Sequence, residues 1–152
     1  MLAWPTCDGL RSLKSIAGAE WKSMRSEVLA AVQASPNAEE AIRILVDEGL
    51  IAEAISKLEQ PGVLVSYEAL NVVVRSAIPS EPAWAIHTAR KQAEQIMDRG
   101  KSEYYRHAGR WLGHVRAAYK ALNRNDEWQA YRTRLLLTHK RKLKLTTILK
   151  TL

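Results

Sequence analysis

Cysteine occurs once, as Cys7, and no apolar run in the 152 residues approaches the roughly 20 that a bilayer-spanning helix needs. A lone thiol excludes an intramolecular disulfide, and it excludes a cysteine-rich zinc cage supplied by this chain alone. The opening MLAWPTCD reaches an aspartate before a signal-peptide core can form. These absences set the expectation of a soluble chain in a reducing, cytoplasmic setting. A glycine-rich phosphate loop is also missing. Gly109-Arg110-Trp111-Leu112-Gly113 falls in the middle of an expected helix, where backbone N–H groups are already bonded. Acidic side chains run out as well: none follows Glu127.

What is present reads as globular. Hydrophobic residues make up 47% and charged residues 26%, and the length suits one domain over 1–152, with a leader at 1–7 and a basic tail at 140–152. The net charge of +7 is unevenly placed. Residues 1–98 hold 9 Lys and Arg against 13 Asp and Glu, whereas residues 99–152 hold 14 against 3. Such asymmetry points the second half toward something anionic, whether nucleic acid, lipid headgroups, an acidic protein or the chain's own acidic half.

Apolar residues recur with a helical period almost throughout. Trp21, Met24, Val28, Ala31 and Val32 share one face, and Ala38, Ala41, Ile42 and Leu45 share another after Ser35-Pro36-Asn37. Asn37 and Glu40 have capping-box spacing, and Gly49 ends that segment. Ile51, Ala54, Ile55 and Leu58 form a shorter helix. Val72-Val73-Val74 is β-branched, but a cap at Ser66 and the spacing of Leu70, Val73, Val74 and Ala77 favour helix. Pro82 opens the next helix, with Ile86, Ala89, Ala93, Ile96 and Met97 inward and Gly100 as its stop. The longest helix is expected over 102–122, with Tyr104, Ala108, Trp111, Val115, Ala118 and Leu122 in its core stripe. Asn123-Arg124-Asn125 then turns the chain into a helix carrying Trp128, Tyr131 and Leu135. With a final helix after Lys142, the expectation is all-α: about eight helices in antiparallel hairpins.

Two stretches carry a resemblance. Leu45 to Ile55, LVDEGLIAEAI, resembles the turn of a tetratricopeptide-like unit, in which a small residue ends one helix and Glu-Ala begins the packing face of the next. Further on come Trp111-Leu112, Arg116-Ala117-Ala118-Tyr119, Glu127-Trp128-Gln129-Ala130-Tyr131 and the basic run from His139 to Leu145. In that order they resemble the C-terminal helical region of bacterial SWIM zinc-finger proteins, and Glu20-Trp21 with Arg25 and Leu29 extends the likeness toward the start. The resemblance implies a repeat-like interaction module. The finger itself needs three cysteines and a histidine, so zinc binding does not carry over. Leu143 stands where the family commonly has an aromatic, and Gly109 and Gly113 sit in a helix that usually lacks such a pair.

No group of side chains calls for a catalytic role, a metal or a cofactor. Glu103, His107 and His114 fall near one helix face, but Glu103 with His107 is more simply an i,i+4 pair. Cys7 has no histidine nearby in sequence to activate it. Glu39-Glu40 and Asp47-Glu48 read as helix-start bias and solvated surface. Trp84, Trp111, Tyr119, Trp128 and Tyr131 fall on apolar stripes and are expected in the core, with Tyr105 the least suited to burial. Gly109, Gly113 and Ala117 form a side-chain-poor strip, costing about 1 kcal/mol per glycine, that invites close approach of a helix or of a bulky aromatic such as Trp128.

The closing stretch, LLLTHKRKLKLTTILKTL, sets the functional question. Leu145, Ile148, Leu149 and Leu152 make an apolar strip that needs a surface to dock on. The basic side chains Arg124, Arg132, Arg134, Lys140, Arg141, Lys142 and Lys144 then remain for an anionic partner. The expected function is a non-enzymatic protein-interaction module with an acidic protein partner. A nucleic-acid accessory domain contacting phosphates is the alternative, and an anionic membrane ranks last.

Overall fold

The computed structural model describes residues 6–152 and is all-α. Nine α-helices follow one another among the described residues: α1 (Cys7–Ala17), α2 (Trp21–Gln33), α3 (Ala38–Asp47), α4 (Ile51–Leu58), α5 (Tyr67–Ala77), α6 (Pro82–Arg99), α7 (Tyr105–Ala121), α8 (Asn125–Thr138) and α9 (Leu143–Thr151). Short 3-10 turns at Gly18–Glu20 and Ser102–Tyr104 precede α2 and α7. No strand occurs among the described residues, and Val72-Val73-Val74 lies inside α5. The helix absent from the sequence expectation is α1, whose only fully buried residue is Leu10. Of the leader expected over 1–7, the first five residues lie outside the described ones. Thr6 caps α1, its hydroxyl accepting from Gly9 N–H, and Cys7 opens the helix.

Helix ends follow local chemistry. Asn37 Oδ1 accepts from Glu40 N–H at 3.2 Å, and Ser66 Oγ accepts from Ala69 N–H at 3.2 Å, so both expected caps form. The Glu40 carboxylate does not close the capping box. It accepts instead from the Cys7 N–H at 2.6 Å, satisfying one of the orphan donors at the start of α1. At the end of α3, Gly49 takes φ +74°, and Leu50 N–H reaches back to the Leu45 carbonyl at 2.8 Å. Asn123, at φ 55°, does the same for α7, with Arg124 N–H on the Tyr119 carbonyl at 2.9 Å.

Contacts divide the chain into two compact units, one running to Val73 and one covering Val74–Leu152. In the first, α3 packs against α1, α2 and α4. Four of its ten residues, Ala41, Ile42, Ile44 and Leu45, are buried. A polar network ties α1 and α2 to the end of α3: the largely buried Glu48 carboxylate pairs with Lys14 and lies 3.5 Å from Arg25 Nε. From α4, the buried Lys57 Nζ donates to the carbonyls of Gln33 at 2.8 Å and Ser35 at 3.2 Å, closing the C-terminal end of α2.

In the second unit α6 packs on α7, and α7 also meets α8 and α9. Ala85, Ala89 and Ala93 recur every fourth residue on the buried face of α6, which allows close helix approach. Trp111 and Trp128 are fully buried, and Tyr119 and Tyr131 nearly so; Trp84 is half-buried. One side-chain assignment is reversed. Tyr105 is buried, whereas Tyr104, expected in the core, is 48% exposed. The cause is the 3-10 turn Ser102–Tyr104, which starts the α-helical register at Tyr105, so the stripe runs Tyr105, Ala108, Leu112, Val115, Tyr119.

Candidate functional site

The basic C-terminal segment folds as α9 against α7 and α8. Leu145 and Leu149 are completely buried, about 1.5–3 kcal/mol each. Ile148 sits on Gly109: a Cβ built at Gly109 would come within 2.7 Å of Ile148 Cγ2. Of the strip Gly109, Gly113 and Ala117, only Gly109 is therefore covered in this way. A Cβ at Gly113 meets nothing within 4 Å, and Ala117 is exposed. Gly113→Ala should consequently raise stability by about 1 kcal/mol, the ordinary helix-propensity gain. Gly109→Ala should fall well short of that gain, because Ile148 Cγ2 sits on a β-branched carbon that cannot swing aside alone. Paired thermal unfolding by circular dichroism measures the difference, and equal gains would mean that α9 does not rest on Gly109.

Docking divides the seven cations singled out by sequence. Arg132 reaches from α8 to the end of α9, its Nε donating to the Leu149 carbonyl at 2.8 Å and Nη2 to the Lys150 carbonyl at 3.0 Å. Lys142 Nζ donates to the Met97 carbonyl at 2.6 Å in the last turn of α6. Both charges sit where helix dipoles favour a cation. Arg124 forms a two-pronged pair with Glu127. Arg134 lies 5.5 Å from the Tyr131 ring centroid. Lys140, Arg141 and Lys144 are exposed and make no hydrogen bond or ion pair among the described residues.

Two large exposed apolar side chains share this stretch with the trio. Leu137, in the last turn of α8, is 68% exposed, and Leu143, the first residue of α9, is 76% exposed. Between them the chain turns tightly, with Lys142 N–H on the His139 carbonyl at 2.8 Å. The result is a corner that shows water two leucines and three unpaired cations.

His139 is buried at the root of this corner. Burial, then the positive charge of Lys142, holds its imidazole below the usual range, with Asp98 opposing. His114, half-buried with its ring 5.9 Å from Trp111, is pushed the same way by burial, Arg110 and Arg75. A histidine kept neutral by the fold stabilises it above the ordinary value near 6.5. That contribution is lost as pH falls from there toward the lowered pKa. Thermal midpoints should therefore drop between about pH 7 and pH 5, and His139→Gln should flatten part of the slope. An unchanged slope would remove His139 as a contributor.

The other sequence candidates do not converge. Glu103 is exposed, His107 lies beside Tyr104, and His114 faces Trp111; no group of three His, Cys, Asp or Glu among the described residues is placed to hold a metal ion. Burial and the neighbouring Glu40 push the Cys7 thiol up to about 11, which leaves little thiolate at neutral pH. None of the described helices is long and apolar enough to cross a membrane.

One arrangement escaped the sequence reading. Arg90 of α6 stacks over the Tyr131 ring at 4.1 Å, and Tyr131 donates its hydroxyl proton to Glu94 Oε1 at 2.8 Å. Burial and that carboxylate hold the Tyr131 phenol well above its ordinary range. No periodicity or spacing announces a contact between residues 41 positions apart on separate helices. No protein-family model, curated protein or solved structure matches the chain.

Proposed function

We propose that this chain is a non-enzymatic protein-interaction module whose second unit docks an acidic protein segment at the corner of α8 and α9. One observation carries the reading: within eight residues the turn from α8 into α9 exposes two leucines, Leu137 and Leu143, together with the unpaired Lys140, Arg141 and Lys144. Carboxylates on a partner complement the cations, and its apolar side chains cover the leucines. The setting adds long-range attraction, since Val74–Leu152 holds 17 Lys and Arg against 6 Asp and Glu. The resemblance to the helical region of SWIM zinc-finger proteins and the tetratricopeptide-like turn at Leu45–Ile55 point the same way, toward a hairpin array that presents a surface rather than a reaction centre.

Nucleic acid is the second reading, because the same three cations suit phosphates. The leucines separate the two, as phosphate contacts make no use of them. A labelled short peptide alternating glutamate and leucine should bind with salt-sensitive affinity. Lys140→Ala, Arg141→Ala and Lys144→Ala together should weaken binding about tenfold or more. Leu137→Ser with Leu143→Ser should weaken the peptide several-fold and leave a labelled oligonucleotide unaffected. An oligonucleotide that binds while the acidic peptide does not would overturn the protein reading.

A further inference from the structure

The outward face of α8 leads from the basic corner to a second feature. Glu127, Ala130, Arg134 and Leu137 succeed one another at steps of three and four and are all exposed, so they form one strip. Beside the N-terminal part of that strip, Arg90, Tyr119, Glu127, Ala130, Tyr131 and Arg134 line an open cleft of about 240 Å³ where α6, α7 and α8 meet. Two guanidinium groups share the Tyr131 ring there, Arg90 at 4.1 Å and Arg134 at 5.5 Å from its centroid. Arg90 is two-thirds buried.

The carboxylates near these arginines are occupied. Glu127 is held by Arg124 through both its oxygens. Glu94 accepts the Tyr131 hydroxyl and stands 3.6 Å from Arg90. Arg134 has no acidic partner among the described residues. A guanidinium held against an aromatic ring loses less rotamer freedom when an oxyanion arrives, and Arg134, the exposed one of the two, keeps its donors available to one. Arginine forks match a carboxylate with two parallel hydrogen bonds.

We propose that the cleft between Arg90 and Arg134 receives a carboxylate of the same acidic partner whose next residues lie on Leu137 and the Lys140–Lys144 corner. The proposal rests on the docking reading above and adds a specific anchor to it. The partner segment then runs along α8 with its anchoring carboxylate over Tyr131, an apolar side chain nearly two helical turns further along at Leu137, and further acidic groups at the corner. The cleft supplies geometry, while the corner supplies mostly steering.

The test uses the same labelled glutamate–leucine peptide on the full chain. Arg134→Gln, an exposed change that leaves the core alone, should weaken binding about tenfold. Arg90→Lys keeps the charge but loses the planar fork, and should weaken it comparably if two-pronged recognition is the mechanism. On titration with the peptide, the Nε–H resonances of Arg90 and Arg134 should shift, with sodium acetate producing the same shifts at much higher concentration. If the corner triple substitution abolishes binding while Arg134→Gln and Arg90→Lys leave it unchanged, the cleft is not an anchor and the docking reading survives. If the unmodified chain does not bind the acidic peptide at low salt, both fall. Inorganic phosphate shifting the two arginine resonances more strongly than acetate would replace the carboxylate with a phosphorylated group and overturn the assignment.

Discussion

Replacing Trp111 with alanine should lower stability by about 3–5 kcal/mol, a large fraction of the roughly 5–15 kcal/mol typical of a folded domain. The indole is fully buried on α7, the helix that packs against α6, α8 and α9 in the second unit. Its removal takes away the apolar area and leaves a cavity that four helices cannot close without moving. Alanine's better helix propensity returns only a few tenths of a kcal/mol. Urea unfolding followed by helical ellipticity measures the effect, with Trp111→Phe expected to cost distinctly less because most of the volume is kept. A loss below about 1 kcal/mol for the alanine variant would contradict the central place given to Trp111.

The fold class was legible because the apolar residues recur every three or four positions and the breakers fall between them. Ser66, Asn37, Gly49, Gly100 and Asn123 mark helix ends or turns that form where their chemistry demands. Two things were hidden. The register at Tyr104 and Tyr105 depends on a single 3-10 turn, and periodicity alone does not reveal where α-helical spacing begins. α1 buries only Leu10 fully and is held largely by polar contacts, among them Cys7 N–H on Glu40 and Arg11 on Asp47 at 3.0 Å, so its apolar stripe is thin.

The candidate surface was legible only as a composition. Sequence gives the excess of cations after residue 98 but not their division between structural and exposed roles. Arg132 and Lys142 are held by backbone carbonyls 17 and 45 positions away, distances at which no local pattern gives warning. Once these two are set against helix ends, the corner reduces to Lys140, Arg141 and Lys144 with the exposed leucines Leu137 and Leu143. The anchoring of α9 is thus what turns a basic tail into a shaped surface. It also accounts for the pairing of apolar and charged residues there: Leu145 and Leu149 point inward, which leaves Leu143 and Lys144 to face water.

Lys57→Ala should cost about 2–3 kcal/mol, the second large stability effect. The residue is 5% exposed, and its ammonium group donates to the carbonyls of Gln33 and Ser35. A cation at the end of α2 offsets the partial negative charge of the helix terminus, and the two bonds satisfy acceptors that the helix cannot satisfy itself. Alanine removes both the bonds and the four-carbon stem packed between α4 and the end of α2. Lys57→Met separates these contributions, since it keeps the stem and removes the donor. If the cap matters, methionine should retain most of the loss, because a carbonyl left dry is penalised whatever apolar group fills the space. Stability equal to the unmodified chain in the methionine variant would show that packing alone makes Lys57 important, and that solvent reaches those carbonyls once the ammonium is gone.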